Sequence, residues 1–276
     1  MYHIDMDFDK IISSTNNYNF HSHTQFCDGR APMTVMAEAA VAAGMKHYGF
    51  TPHSPIPIPS PCNMKAEDVE EFIAQGRRIA SDPSLAACRF YIGMEVDYLS
   101  EEWGPAHSYF KNLPLDYTIG SVHFIPTQSG EPVDIDGHFD NFTRRMREYF
   151  RNDIDYVVQT YFDQNRAMIE AGGFDILGHF DKVGQNASYF APGIENGSHY
   201  QSLINDLIDL IIERDITIEL NTKARIQHGR FFPGERYLPR LVDAGVTILV
   251  NSDAHHPDRI TASRAEALAL LGKENA

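Results

Sequence analysis

Two pairs of metal-binding residue types lie near opposite ends of the chain. An H-x-H pair, His21 and His23, ends one apolar run, and a D-x-H pair, Asp253 and His255, ends another. Residues two apart in an extended segment point to the same side. Each pair is therefore predicted to direct both of its side chains at one point. Imidazole and carboxylate groups that converge in this way are typical ligands of divalent metal ions.

Single histidine or glutamate residues end further apolar runs between these pairs, namely His53, Glu95, His123 and His179. A buried carboxylate without a partner carries a large desolvation cost. Glu95 is therefore expected to bind cations, and bridging two metal ions would use both of its oxygens. Asp28, just past the first pair, is either a ligand of a further metal or an ordinary turn residue.

The residues around these candidates receive weaker predictions. Asp181, two residues after His179, could orient a ligating imidazole or cap a helix. Cys27 is interpreted as a small buried residue rather than a ligand. The other histidines lack comparable positions and are predicted to be structural: His3, His47, His107, His138, His199, His228 and His256.

Ligands that end so many runs require strands that converge. Strand-like runs alternate with helix-like stretches about seven times, which predicts an α/β fold with a parallel sheet. An open doubly wound sheet would collect ligands at one switch point, whereas here nearly every run ends in a candidate. This favours a distorted (β/α)7 TIM-like barrel with its metal site at the C-terminal ends of the strands. The predicted strands lie around Tyr18–His21, His47–Thr51, Arg89–Glu95, Tyr117–Ser121, Phe174–Gly178, Thr217–Leu220 and Val246–Val250.

Helices are predicted between these strands from alanine content, apolar spacing, and proline or glycine stops. They span Pro32–Gly44, Lys65–Ser81, Asn141–Ala171 (one or two helices), Tyr200–Arg214, Arg236–Ala244 and Thr261–Leu271. The proline-rich segment Pro55–Pro61 is predicted to be either a rim or lid element or a rigid connector. No linker or internal repeat interrupts the pattern, so residues 1–276 are predicted to form a single domain.

Composition narrows the class of protein. A hydrophobic content of 43%, with 11% aromatic residues, excludes a disordered chain. No apolar stretch approaches the roughly 18 residues of a membrane span. The first ten residues lack the pattern of a secretory signal. A formal charge of −15 disfavours long nucleic acids and anionic membranes as partners, whereas a small anionic substrate remains possible if bound metals reverse the local charge.

Cysteine usage points to a reducing compartment. The chain has three cysteines, Cys27, Cys62 and Cys88, and none forms a C-x-x-C motif. Neither a disulfide framework nor a zinc knuckle is indicated. A cytoplasmic location is therefore expected.

Taken in order, these motifs resemble the PHP (polymerase and histidinol phosphatase) family. They are H-x-H, a histidine after strand two, G-x-E, S-V-H, L-G-H-x-D and S-D-A-H, spanning residues 20–255. The resemblance is strongest to the histidinol-phosphatase branch: Cys27 lies four residues after His23, a G-S-V-H-F segment surrounds His123, and E-L-N-T is followed by Arg225. The resemblance implies a distorted (β/α)7 barrel that holds two or three divalent metal ions. Zinc, manganese and iron(II) all suit imidazole and carboxylate ligands.

The resemblance also implies a role for each candidate. One metal would be held by His21, His23, Glu95 and Asp253. Glu95 would bridge to a second metal, which His123 and His179 also hold. A third would lie on His53 and His255, with Asp28 where many relatives have a histidine at a one-residue offset. Lys223 and Ala224 depart from the Ser-Gly that relatives often carry before the arginine.

The implied reaction is the hydrolysis of a small phosphate monoester, L-histidinol phosphate above all, to L-histidinol and phosphate in histidine biosynthesis. A hydroxide that bridges two metal ions would attack phosphorus in line, and Glu95 would be a ligand of both ions. Asp253 or His255 could assist the leaving alkoxide. Arg225 is the predicted phosphate ligand, because guanidinium matches an oxyanion in a bidentate way, although a surface arginine is the alternative. Arg230 and Lys223 are weaker candidates.

Three other functions are compatible with parts of the pattern. A PHP phosphoesterase could act on nucleotides, sugar phosphates or oligonucleotide ends. A barrel amidohydrolase would carry a carboxylated lysine as its metal bridge, where this chain has Glu95. A non-catalytic metal-binding module would not need the complete set of ligands.

Overall fold

The computed structural model describes residues 6–273 and contains a ring of seven parallel strands. Their order around the ring is β1-β2-β3-β4-β7-β8-β9, so each strand lies beside the next ring strand in sequence. The strands are β1 (Tyr18–Asn19), β2 (His47–Phe50), β3 (Arg89–Asp97), β4 (Tyr117–Ser121), β7 (Ile176–Leu177), β8 (Ile218–Asn221) and β9 (Ile248–Asn251). All seven predicted strands are present, and most are shorter than predicted.

The ring closes between its first and last strands just beyond their ends. A parallel bridge pairs Ser22 with Ala254, and the backbone N–H of His23 donates to Ala254 O at 2.9 Å. Asparagine side chains reinforce this seam, since Asn251 Oδ1 accepts from the N–H of Phe20 at 2.9 Å. The predicted barrel is therefore confirmed. Closure brings the two outer ligand pairs of the sequence into adjacent positions.

Helices surround the ring and connect its strands. They are α1 (Phe8–Ser14), α2 (Met33–Ala42), α3 (Val69–Ala80), α4 (Ser108–Lys111), α5 (Phe139–Tyr149), α6 (Ile154–Ala171), α7 (Val183–Phe190), α8 (Ser198–Glu213), α9 (Arg225–His228), α10 (Leu238–Asp243) and α11 (Arg264–Leu270). The predicted Asn141–Ala171 stretch is two helices, and the break falls at Arg151 and Asn152, both at positive φ. Within the described residues, no helix is long and apolar enough to cross a membrane.

A small antiparallel hairpin was absent from the prediction. Its strands, β5 (Phe124–Pro126) and β6 (Pro132–Asp134), follow His123 directly. The N–H of Ile135 returns to His123 O at 2.9 Å, so the end of the hairpin lies beside a candidate ligand. Short strands that pair only with each other leave a weak sequence signal. The hairpin carries Asp134 and Asp136 toward the candidate metal centre.

Aromatic side chains fill the barrel beneath the candidate ligands. Phe20 and Tyr117 are fully or almost fully buried, and the Tyr117 hydroxyl donates to Phe20 O at 2.6 Å. Phe8 from α1 packs edge-on against both rings, with centroids 5.2 and 5.8 Å away. A Cβ at Gly93 would lie 2.8 Å from Tyr117 Cζ, so this position requires glycine. This rigid layer supports the strand ends from which the ligands project.

Candidate metal centre

Every predicted metal ligand lies at the same end of the ring. His21 and His23 follow β1, His53 follows β2, and Glu95 lies near the end of β3. His123 follows β4 and His179 follows β7. Asp253 and His255 follow β9, and Asp28 lies in the loop after β1. The carboxyl ends of parallel barrel strands meet at one rim, which is why residues 234 positions apart converge.

Glu95 lies at the middle of this arrangement. Its Oε2 is 3.2 Å from His21 Nε2 and 3.0 Å from His53 Nδ1, whereas its Oε1 is 3.0 Å from His179 Nε2 and 3.5 Å from His123 Nε2. The two oxygens therefore face different sets of imidazoles. This geometry suits a carboxylate that bridges two cations.

The ligand atoms form groups that match the predicted sites. Within the described part of the chain, the groups of mutually close ligand atoms include His21, His23 and Asp253; Glu95, His123 and His179; and His23, Asp28, His53 and His255. His23 Nε2 is 3.0 Å from Asp253 Oδ1, and His255 Nε2 is 3.2 Å from Asp28 Oδ1. Asp28 thus lies beside the histidines that are predicted to bind a third metal ion. His53, Asp97 and His123 form one further group.

Unpaired polar atoms at the centre of the site fit divalent metal ions. Among buried side-chain atoms without a hydrogen-bond partner are His21 Nε2, His23 Nε2, His123 Nε2, Glu95 Oε2 and Asp28 Oδ1. Burying such atoms without partners is costly. Each atom belongs to a residue type that binds zinc, manganese or iron, and together they face one space.

The charges around the centre favour the ionised forms of the carboxylates, which are the forms that bind metal ions. Burial would raise the pKa of Glu95, but the His21, His53 and His123 imidazoles hold it well below its usual range. Asp253 is also buried, and its pKa is held well below the usual range mainly by Lys223 and His21. Both groups are therefore ionised, as metal coordination requires.

The two histidines of the H-x-H pair differ in protonation. Burial and then the neighbouring His255 and His53 lower the pKa of His23 well below its usual value. For His21 burial acts in the same direction, but the carboxylates of Glu219, Glu95 and Asp253 outweigh it and raise the pKa well above the usual value. A metal ion bound through His21 would therefore release a proton.

Two carboxylates orient candidate ligands from behind. Asp97 Oδ1 is 2.6 Å from His123 Nδ1, and Glu219 Oε2 is 2.9 Å from His21 Nδ1. Such contacts fix the tautomer and orientation of an imidazole whose other nitrogen is free for a metal. Asp97 had a signal in the sequence, because it lies two residues after Glu95 and so shares its side of β3. Glu219 belonged to a recognised motif but received no role.

Changing Asp97 to asparagine is expected to weaken metal binding and activity by about 10- to 100-fold, because the amide cannot support His123 as a charged acceptor. Metal content after dialysis and kcat/KM measure the effect. The exposed Asp155→Asn variant on α6 serves as the control. An Asp97→Asn protein with full metal content and unchanged kcat/KM would contradict the orienting role.

Asp181 occupies neither position considered for it. Its Oδ2 accepts from the N–H of Gly234 at 2.8 Å and lies 3.9 Å from an Arg230 nitrogen. Helix α7 begins at Val183 with Lys182 as its N-cap and without a side-chain cap. Burial raises the pKa of Asp181 to about 6, despite the opposing effect of Arg230. Asp181 therefore ties the β7 end to the loop before α10.

Arg225, the predicted phosphate ligand, is bound to acidic neighbours. Its guanidinium contacts the Glu266 carboxylate, donates to Glu235 Oε1 at 2.9 Å and donates to Gly229 O at 2.7 Å. It also stacks over the Phe231 ring, 4.9 Å from the centroid. The role of Arg225 toward phosphate stays a prediction, and these contacts would have to change for it to bind an anion.

The contacts of the three cysteines and of two further histidines, His47 and His107, differ from those of the candidate ligands. All three cysteines are free, and burial raises the pKa of Cys27 to about 12, so its sulfur is a thiol beside His23. His47 Nδ1 bonds the Tyr91 hydroxyl at 2.7 Å, and His107 Nδ1 accepts from the first turn of α4. Neither of these two histidines belongs to a group of possible metal ligands in the described part of the chain. His3 lies outside the described residues.

Comparisons with known proteins agree with the site. The PHP domain family matches residues 19–223. A Deinococcus radiodurans protein named "Probable histidinol-phosphatase" is 24% identical over 253 residues, covering 90% of each chain. A Clostridium acetobutylicum protein of the same name is 22% identical over 264 residues, covering 92% of each.

Two solved structures share the fold. The Listeria monocytogenes protein hisK has a TM-score of 0.77 and 18% identity, covering 88% of this chain and 97% of its own. Histidinol phosphate phosphatase from Lactococcus lactis, crystallised with zinc, L-histidinol and phosphate, has a TM-score of 0.61 and 17% identity, covering 94% of each chain. The family match covers well over half of the chain and contains seven of the nine candidate ligands, all except Asp253 and His255 at the end of β9. The resemblance seen in the motifs is confirmed, and the chain belongs to the PHP domain family.

Proposed function

We propose that this PHP enzyme, a phosphoric monoester hydrolase, acts on L-histidinol phosphate and releases L-histidinol and phosphate. One observation carries the proposal: the two oxygens of Glu95 face separate sets of imidazoles at the strand ends. The names of the two curated relatives and the ligands of the Lactococcus lactis structure support the choice of substrate.

The ligand groups indicate which residues would hold each metal ion. His21, His23, Glu95 and Asp253 would hold one ion, and Glu95, His123 and His179 a second. His53, His255 and Asp28 would hold a third. When bound, divalent zinc, manganese or iron would supply positive charge to the phosphoryl oxygens and lower the pKa of a water molecule. The chain's contribution is to hold these ligands rigidly and keep the carboxylates ionised.

Other residues would act on the substrate directly. His255 lies in the outer part of the site, with 16% of its side chain exposed, and its Nδ1 is 3.3 Å from Oδ1 of the buried Asp253. Either group is positioned to assist the leaving alkoxide, as the sequence suggested. The phosphate-binding role predicted for Arg225 would require its release from Glu235 and Glu266.

A phosphatase screen tests the substrate. The metal-loaded protein would be assayed with histidinol phosphate beside sugar phosphates, nucleotides and short oligonucleotides. We expect kcat/KM for histidinol phosphate to exceed the others by at least about tenfold, the scale of a few specific contacts. A preference for another monoester would retain the reaction type and discard the substrate. Hydrolysis of none of these esters would contradict the proposed function.

A further inference from the structure

Two lysines follow neighbouring strands at the rim of the candidate metal centre. Lys182 lies three residues after His179, beyond β7, and Lys223 lies two residues after the end of β8. Because β7 and β8 are adjacent in the ring, their C-terminal ends place both residues on the same rim. Neither lysine belongs to a metal group.

The Lys223 ammonium group contacts two of the candidate ligands directly. Its Nζ is 3.2 Å from Asp253 Oδ1 and 3.1 Å from His255 Nε2. The side chain is 40% exposed, so the ammonium can be approached from solvent. Lys223 is therefore a partly exposed cation at the entrance of the site.

Lys182 supplies a second, more deeply placed cation. Its side chain is 13% exposed, and its Nζ is 2.7 Å from Asp136 Oδ2 on the segment after β6. Burial would lower the pKa of Lys182, but Asp136 and then Asp253 and Glu95 raise it, so the amine stays charged. The contact with Asp136 uses one of its three N–H donors.

Asp136 interacts electrostatically with both lysines. Asp136 is partly buried, and Lys182, His123 and, more weakly, Lys223 hold its pKa far below the usual range. Each lysine also acts on the site itself: Lys223 on Asp253, and Lys182 on Glu95 and Asp253. Lys223 thus contacts Asp253 directly, and Lys182 lies on the same rim of the barrel in contact with Asp136. Arg225, by contrast, is engaged by two glutamates.

We propose that Lys182 and Lys223, rather than Arg225, are the side chains that bind the substrate's phosphoryl oxygens. Two ammonium groups next to metal ions favour the dianionic terminal phosphate of a monoester over the monoanionic phosphate of a diester. They also offset, locally, the strongly negative charge of the chain. This inference rests on the proposed phosphatase function but is independent of which monoester is the substrate.

Inorganic phosphate is the probe for the first test. The metal-loaded Lys223→Gln and Lys182→Gln variants are expected to bind phosphate about 10- to 100-fold more weakly, the scale of a lost charge-assisted hydrogen bond. Calorimetry and competitive inhibition of p-nitrophenyl phosphate hydrolysis measure this. The metal content, determined by elemental analysis, is expected to remain unchanged. Lys111→Gln on the exposed surface of α4 is the matched control, and Lys223→Arg should retain most of the binding.

Arg225→Gln is the opposing variant. Loss of phosphate binding in Arg225→Gln, with normal binding in both lysine variants, would overturn the proposal. In Lys182→Gln the partly buried Asp136 carboxylate loses its ion-pair partner, and this variant could unfold. The Lys182→Gln/Asp136→Asn double variant removes both charges and keeps the test valid. Normal phosphate affinity in the folded double variant would likewise remove Lys182 from the site.

Ester selectivity gives the second readout. The ratio of kcat/KM for p-nitrophenyl phosphate to that for bis(p-nitrophenyl) phosphate is expected to fall about tenfold in Lys223→Gln. A purely structural lysine would lower both values together, and an unchanged ratio would contradict the selectivity. If histidinol phosphate is not the preferred substrate but both lysine effects appear, the substrate assignment fails and this inference stands.

Discussion

Replacing Glu95 with glutamine is expected to lower kcat/KM for phosphate-monoester hydrolysis by about a thousandfold or more, which corresponds to about 4 kcal/mol of lost transition-state stabilisation. Glutamine keeps the shape but has one acceptor oxygen and no charge. Both Glu95 oxygens contact imidazoles, at 3.0 Å on each side, so the substitution replaces one of these oxygens with an amide nitrogen and removes the negative charge between the two sets of imidazoles. Steady-state kinetics on metal-reconstituted protein measure the effect.

The accompanying change in metal content separates this effect from misfolding. We expect Glu95→Gln to retain fewer equivalents of metal after dialysis while its circular dichroism spectrum stays native. Glu213→Gln, an exposed glutamate at the end of α8, is the matched charge-removal control and should keep full activity. A Glu95→Gln protein with normal metal content and near-normal kcat/KM would exclude a bridging role for this carboxylate.

Complete removal of divalent metal is expected to abolish hydrolysis of p-nitrophenyl phosphate, and adding back zinc, manganese or iron(II) should restore it. The reason is that, in the proposed reaction, both the activation of water and the neutralisation of charge on the phosphoryl oxygens would depend on bound divalent ions. Activity before and after chelation and reconstitution measures the dependence. Full activity in protein shown by elemental analysis to be metal-free would contradict the proposed chemistry.

Metal removal should also lower the thermal stability. A ligand at about 100 times its Kd stabilises the folded state by about 2.7 kcal/mol, which corresponds to roughly 5 to 10 °C in Tm for a chain of this size. The buried atoms without partners, such as His21 Nε2 and Glu95 Oε2, give the physical reason. Glu95→Gln provides the control, because its Tm should respond less to added metal.

Most of the fold could be predicted because local signals agree with the global arrangement. Apolar runs and helix stops located all seven ring strands and the main helices. The hairpin β5–β6 was missed because its three-residue strands pair only with each other. The short helices α4 and α9 have four residues each, too few for a helical period to appear in the sequence.

The residues around the site were less predictable than the ligands. Asp97 could have been found by alternation from Glu95, which lies two residues before it on β3. The pairing of Lys182 with Asp136 could not, because 46 positions, including helices α5 and α6 and strand β7, separate them in the sequence and only the fold brings them together. The capture of Arg225 by Glu266 is another contact between distant segments.

The sequence by itself determined the chemistry of the centre and its order around the ring. Apart from Asp28, each candidate ligand lies at or just after the end of an apolar run, and in a parallel barrel that position leads to one rim. The tertiary structure alone decided which side chains meet: the division of the Glu95 oxygens between two sets of histidines, the support of His21 by Glu219, and the placement of two lysines beside Asp253. These depend on distances across strands, which spacing along the chain does not encode.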